Sequence, residues 1–332
     1  AMCSEAHSAA ARQIAGEGMV LLRNKNHTLP IELSASKRPT ILVVGENAIK
    51  MMTVGGGSSS LKAKYEISPL RGIQERAGNM ANVQYVRGYV GDVGGEYNGV
   101  TTGQSLQDDR TPEQLTAEAV EAAKKADYVI FVGGMNKAHH QDCEDGDRLH
   151  YELPYGQDQL ISALAAVNNR VIFVSVSGNA HGMPWVNEVE AILQAWYSGS
   201  ETGHAVADII FGDVNPSGKM PYTIQPTLAD YPAHQYGEIA YPGVDKQVHY
   251  MEDIFVGYRY ADLYGRRRPI KYEAQGVRYT INPPKHQPTF PFGFGLSYTT
   301  FAYGEATLNG DKITMLVTNT GDREGQEVVQ LY

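Results

Sequence analysis

The eleven residues Ala138–Arg148 (AHHQDCEDGDR) hold two histidines, four carboxylates, a cysteine and an arginine. Carboxyl groups at this density can move protons, with neighbours that tune them. His139, His140, Asp142 and Glu144 are also metal-ligand types. Against a metal site, adjacent histidines diverge in an extended segment, and no second ligand cluster recurs in the sequence. Cys143 is a poor candidate nucleophile, because acidic neighbours raise a thiol pKa. The plainest alternative is a solvated acidic loop.

An apolar run, Asp127–Gly134 (DYVIFVGG), directly precedes the cluster and reads as a buried strand over 127–133. That places the cluster on a loop at a carboxyl strand end, where open α/β sheets gather ligand-binding groups. A second loop of interest, Val54–Ser60 (VGGGSSS), follows the apolar strand Thr40–Gly45. It lacks the Lys-Ser/Thr of a phosphate loop and the spaced glycines of a dinucleotide fingerprint. Its backbone could still approach a small polar ligand closely, with a serine hydroxyl aimed at it.

The surrounding elements alternate. Residues 5–22 carry helical spacing and predict one helix running into Val20–Leu22. Ser68-Pro69 predicts a capped helix to about Ala77, and Val83–Val86 a short strand. Residues 88–110 read as an irregular loop. Thr111-Pro112-Glu113-Gln114 is a capping box for a helix through Ala126. A helix over 156–167, strands over 171–177 and 191–196, and a helix over 202–211 complete the pattern. The fold class is therefore α/β, a mostly parallel sheet with helices on both faces. Trp185 and His204 read as core or capping residues. His234, His249 and His286 belong to no recognisable constellation.

After residue 212 the pattern breaks. Residues 214–301 form a long, partly irregular segment rich in tyrosine, and 290–298 reads as a packing plug. From 302 the period becomes two, with strands over 306–308, 312–319 and 327–332 separated by Asn-Gly and Thr-Gly-Asp turns. This is the start of a β-sandwich of fibronectin type III kind, far short of the roughly 100 residues such a fold needs. The domains expected are thus 1–213, 214–301 and 302–332.

Composition narrows the function classes. The net charge is −9 with scattered basic residues, which argues against nucleic acid or an anionic membrane as partner. No apolar run approaches the ~20 residues of a membrane-spanning helix. Two cysteines make neither a disulfide framework nor a metal motif.

Several long stretches together resemble the C-terminal half of a family 3 glycoside hydrolase, of the β-glucosidase and β-xylosidase type. They include Glu17–Asn24 (EGMVLLRN), Gly55–Ser60 (GGGSSS), Ser68–Ile73 (SPLRGI), Met183–Trp185 (MPW) and Gln194–Tyr197 (QAWY). Phe211–Met220 (FGDVNPSGKM), Ile254–Tyr260 (IFVGYRY), 290–298, Asn319–Arg323 (NTGDR) and Glu327–Tyr332 (EVVQLY) follow in the family's order.

The resemblance implies an α/β sandwich domain that supplies the general acid/base of a retaining β-glycosidase. The nucleophile would come from a TIM-like barrel, which nothing here resembles, so this chain alone is expected to be inactive. The expected substrate is an oligosaccharide or glycoside with terminal β-linked glucose or xylose, with no cofactor and no metal. A periplasmic or secreted location would suit a bacterial polysaccharide-degrading enzyme. In the family the acid/base is a glutamate followed by Gly, a variable residue, Asp and Arg. Glu144-Asp-Gly-Asp-Arg148 matches at Glu144, Asp147 and Arg148 and shifts the glycine by one, which leaves Asp142 and Asp145 as rivals. Crowding by Asp142, Asp145 and Asp147 would raise the Glu144 pKa, while Arg148 opposes. Ser58 matches the serine that reaches toward the sugar. His139 and His140 are candidate substrate contacts, and Asp147 and Arg148 candidate braces of the loop. A different class stays open: a non-catalytic carbohydrate-binding or interaction module using tyrosines of 230–280.

Overall fold

A computed structural model of the protein describes residues 3–53, 58, 61–91, 96–97, 100–101, 104–138, 140–144, 146, 148–274 and 276–332, with the backbone alone at 96–97 and 100–101. In chain order the first strands are β1 (Val20–Asn24), β2 (Thr40–Val44), β3 (Asn82–Val86), β4 (Glu96–Tyr97), β5 (Val100–Thr101), β6 (Tyr128–Gly134), β7 (Val171–Val176) and β8 (Ala191–Gln194). Six of them form one sheet in the order β1-β8-β7-β6-β2-β3, while β4 and β5 pair separately. The neighbours from β8 to β3 run parallel, and β1 lies antiparallel to β8.

Helices α1 (Glu5–Gly18), α2 (Pro69–Ala77), α3 (Pro112–Ala123), α4 (Gln157–Ala165) and α5 (Thr202–Ile210) cover the two faces. Side chains alternate along a strand. Ile41, Val43, Ile130, Val132, Ile172 and Val174 accordingly pack with residues of α1, α2 and α5. Leu42, Val44, Val129, Phe131, Val171 and Phe173 pack with residues of α3 and α4. This is why the strands read as unbroken apolar runs rather than alternating ones. Each such side chain contributes roughly 1.5–3 kcal/mol of burial, against ~0–1 kcal/mol for an exposed ion pair. The helix starts follow local chemistry. Ser68 Oγ accepts from the Arg71 amide at 3.3 Å, and both bonds of the Thr111–Gln114 capping box form.

The N-terminal helix is shorter than predicted. The helix expected over 5–22 stops at Gly18, and Val20–Asn24 is the edge strand β1. Gly16 and Gly18 weaken the helix, and Leu21 joins one core layer while Val20 and Leu22 join the other. Burial on both faces of a sheet favours the strand, and helical spacing within the segment does not report that partner.

The segment after α5 holds α6 (Pro232–Gln235), α7 (Tyr258–Ala261) and the hairpin β9 (Ile270–Ala274) and β10 (Val277–Ile281). Its ends return to the sheet. The Leu296 amide donates to Leu21 O at 2.8 Å, so this stretch covers the free edge of β1. Phe290 bridges to Ile224 and is buried with Met220 in the α3–α4 core layer, as expected of a packing plug.

The last strands are β11 (Phe301–Tyr303), β12 (Thr307–Asn309), β13 (Lys312–Thr314) and β14 (Val317–Asn319), paired β11 with β14 and β12 with β13. The single strand expected over 312–319 is thus two, because its halves take different partners. Residues 327–332 make no strand pairing among the described residues. Instead Gln330 Nε2 donates to Gly293 O at 2.9 Å, and the Tyr332 ring packs on Tyr258 and Phe292. Arg323 Nη1 donates to Gly212 O at 3.0 Å and ties this region to the end of α5. No helix among the described residues is long and apolar enough to cross a membrane.

Candidate functional site

The sheet order places a reversal between β2 and β6. The chain leaves β2 for β3 on one side and β6 for β7 on the other. Loops that diverge in this way leave a crevice at the carboxyl ends of the two strands. A glycine closes each strand there. Gly45 has φ +119° and Gly134 φ +112°, and added Cβ atoms would lie 2.1 Å from Val132 O and 2.3 Å from Val176 O respectively. Only glycine fits both the conformation and the space.

The loop after β6 is fixed by its own polar groups. The Asn136 side chain accepts from the Ala138 amide at 2.7 Å, and the Asn136 amide donates to Gln141 Oε1 at 2.9 Å. Asp142 then anchors the loop to neighbouring strands. Its carboxylate accepts from the Gly178 amide at 2.7 Å, Tyr197 Oη at 3.1 Å, Asn179 Nδ2 at 3.2 Å and Ser177 Oγ at 3.3 Å. The groups come from the connection after β7 and from just beyond β8. The Asp142 carboxylate is directed into those four donors.

Beyond Asp142 the chain makes a narrow turn, with Cys143 bridged to Gly146. Glu144 sits in this turn and is exposed. Its carboxylate accepts from the Ser58 amide at 2.5 Å and from Ser58 Oγ at 2.8 and 2.9 Å. The two loops beside the reversal point therefore meet at these two side chains. Arg148 Nη2 donates to Ala180 O at 2.6 Å, while Nη1 is buried with no hydrogen-bond partner among the described residues. His140 stands exposed at φ +63° in the turn before Asp142. His139, Asp145 and Asp147 lie outside the described residues, as do all residues of 54–60 except Ser58.

Two features were not visible in the sequence. A buried carboxylate, Glu46, lies just after β2 and holds Lys50 at 3.1 Å and Arg87 Nη2 at 2.9 Å. It also accepts from the Gly91 amide at 2.6 Å, so it fastens the loops after β2 and β3 together. The sole local signal is an acidic residue directly after an apolar strand. The second feature is a cavity of about 550 Å³ beside the Glu144 turn. Its walls include Lys137 and Tyr197 from the sheet side and His234 and Tyr241 from the long segment. The Lys137 ammonium lies 3.6 Å from the centroid of the Tyr197 ring, and burial pushes its pKa down while Asp142 opposes. No sequence spacing connects residues 137 and 241.

Among the described residues, no group of three or more His, Cys, Asp or Glu converges as a metal would need. An exposed carboxyl held by fixed donors at a crevice can give and take a proton with a ligand in that crevice. His204 has a different setting. It bonds Glu201 at 2.5 Å and Glu75 at 2.8 Å on the α2–α5 side, in a structural contact.

Known proteins share this architecture. The family model described as Glycosyl hydrolase family 3 C-terminal domain matches residues 19–258. The whole chain is 43% identical to beta-glucosidase BoGH3A of Bacteroides ovatus and covers 42% of that protein. Over 99% of the chain it is 32% identical to thermostable beta-glucosidase B of Acetivibrio thermocellus, covering 38% of it. The solved GH3 beta-glucosidase of Bifidobacterium adolescentis superposes with a TM-score of 0.74 at 33% identity, over 96% of this chain and 41% of that one. The chain thus spans less than half the length of these relatives. With a matching α/β sheet, a matching family model and relatives aligned along its full length, this chain belongs to glycosyl hydrolase family 3, where it corresponds to the C-terminal domain.

Proposed function

We propose that this chain supplies the general acid/base of an exo-acting retaining β-glycosidase that removes terminal β-linked glucose or xylose from oligosaccharides or glycosides. Glu144 is the proton carrier. It protonates the departing glycosidic oxygen and then takes a proton from the water that breaks down the glycosyl-enzyme. Retaining enzymes need a second carboxyl about 5–5.5 Å away as nucleophile. In this reading the nucleophile belongs to a barrel domain in a longer protein, so the chain by itself is inactive. Residues 1–213 form the unit that carries the acid/base, 214–301 the connecting segment and 302–332 the beginning of a sandwich domain.

The observation that carries the reading is the meeting of Ser58 and Glu144 at the reversal point between β2 and β6. It also favours Glu144 over Asp142, because the Asp142 carboxylate accepts from four donors of two other loops. Arg148 and Ser58 then act on the position of the Glu144 turn. The test uses Glu144→Gln in the longer protein. Activity on unactivated glycosides should be lost and partly restored by azide, which replaces the missing base at the second step. Wild-type rates in that variant would refute the assignment.

A further inference from the structure

The loop that carries Ser58 is closed at its base by side chains. Residues 51–53 belong to no helix or strand, and their amides take side-chain partners instead. Glu66, on the far stem of the same loop, supplies most of them. Its carboxylate accepts from the Met52 amide at 2.5 Å, from the Thr53 amide at 3.2 Å and from the Thr53 hydroxyl at 2.8 Å. Gln104, from the stretch before α3, adds to the closure. Its Oε1 accepts from the Met51 amide at 2.9 Å, and its Nε2 donates to Ile49 O at 2.8 Å. Glu66 is itself mounted on fixed backbone. The Ile67 amide donates to Ser200 O at 2.8 Å, and Ile67 O accepts from the Gly203 amide, in the first turn of α5, at 2.9 Å. Met52 and Glu66 also line a small space together with Tyr197, whose hydroxyl donates to Asp142 at 3.1 Å.

We propose that Glu66 is a positioning residue: by closing the base of the Ser58 loop it sets where Ser58 meets Glu144. The inference rests on Glu144 being the acid/base. A carboxylate that accepts from two successive amides and a hydroxyl fixes the direction in which the chain leaves Thr53. Charge-assisted bonds of this kind are about twice as strong as neutral ones. A rotation at Thr53 is carried toward Ser58 with a reach of up to ~3.5 Å per residue. The tolerance at Ser58 is small, because its amide and its hydroxyl must both lie within hydrogen-bond distance of one carboxylate. Tyr197 stands beside the clamp and also holds Asp142, so the Ser58 loop and the acidic loop share one reference point. Glu66 acts on the proton transfer through Ser58, with no contact of its own to the reacting atoms.

The experiment is a double-mutant cycle in the longer protein, read on two substrates. Glu66→Gln keeps the size of the side chain and replaces one acceptor oxygen by a donor, which cannot accept from the loop amides. It should lower kcat/KM about tenfold on an unactivated β-glycoside, whose leaving oxygen needs a proton. On the matching dinitrophenyl β-glycoside, whose leaving group departs without one, the loss should be no more than about twofold. In a Ser58→Ala background Glu66→Gln should cost no more than about a further twofold, because both changes remove the same interaction. Thr53→Val removes one hydroxyl at nearly constant volume. It should show the same pattern at smaller size, and it replaces Glu66→Gln in the cycle if that variant yields too little folded protein. Equal losses on the two substrates, no loss on either, or losses that multiply in the double variant would overturn the proposal. Glu144→Gln measured alongside separates the two readings. If it keeps full activity, the acid/base assignment has failed. If it loses activity and responds to azide while Glu66→Gln shows no substrate split, only the positioning role has failed.

Discussion

Ser58 donates to Glu144 twice, from its amide at 2.5 Å and from its hydroxyl at 2.8 Å to the same carboxylate oxygen, across 86 residues of sequence. Bonds of this charge-assisted kind fix the rotamer of the acceptor. Ser58→Ala keeps the amide donor and removes the hydroxyl. In the longer protein it should lower kcat/KM on unactivated glycosides about tenfold, the effect of one hydrogen bond to a charged group at a solvent-facing site. Melting temperature should be unchanged, because the pair is exposed. A loss in stability equal to the loss in activity would show that Ser58 holds the loop and does not aim the carboxylate.

Asp142 should behave in the opposite way. Its carboxylate joins the loop after β6 to Gly178, Asn179 and Tyr197. Asp142→Ala leaves those donors without their common acceptor and should cost ~1–3 kcal/mol in chemical denaturation. Activity should fall as well, since the Glu144 turn begins at the next residue. Azide should not rescue it. Rescue equal to that of the Glu144 variant would make Asp142 the proton carrier.

Acid stability should depend on His181. The ring is fully buried, with Nε2 3.0 Å from Ser175 Oγ and Nδ1 2.9 Å from Gly182 O. Burial pushes its pKa from the ordinary 6.5 down to about 4. As pH falls below 6.5 the unfolded chain takes up a proton that the folded chain refuses, so stability drops until the folded ring protonates near pH 4. The loss across that window is about 3 kcal/mol from this one residue. Unfolding free energies measured between pH 7 and 4 should show it, and His181→Asn should flatten the slope. An unchanged slope would place the acid sensitivity elsewhere.

Gly45 should tolerate no side chain. At φ +119° with a virtual Cβ 2.1 Å from Val132 O, Gly45→Ala combines backbone strain with a clash against the neighbouring strand. A cost above ~2 kcal/mol is expected, read as a lower thermal midpoint or loss of soluble protein. Gly199→Ala is the comparison. It also has positive φ, at +79°, but open space around its Cβ, and it should cost less. Equal costs would mean that strain alone decides.

Much of this architecture was legible because it is written in short-range pattern. Pro69 and Pro112 sit at helix starts behind capping side chains, and the strands at 40, 128 and 171 are continuous apolar runs. Such signals need no knowledge of distant residues. Val20–Asn24 was misread for the complementary reason. Its strand identity depends on β8, whose Gln194 pairs with Val20 far along the chain. Residues 312–319 failed similarly, because β13 and β14 are distinguished only by the partners they take. The buried Glu46 cluster joins residues 46, 50, 87 and 91 through tertiary contact and leaves no periodic trace.

The acidic loop shows the same division at the site itself. Sequence alone determined that a dense set of carboxylates follows a buried strand at a carboxyl edge, since strand and loop chemistry are local. It also supplied the family resemblance, because long contiguous stretches keep their order. Which donors each carboxylate meets was decided by tertiary structure. Asp142 and Glu144 are two residues apart and chemically near-equivalent, yet one meets donors at 177–179 and 197 while the other meets Ser58. The sheet reversal brings those partners together, and no local pattern in the sequence encodes donors so far along the chain.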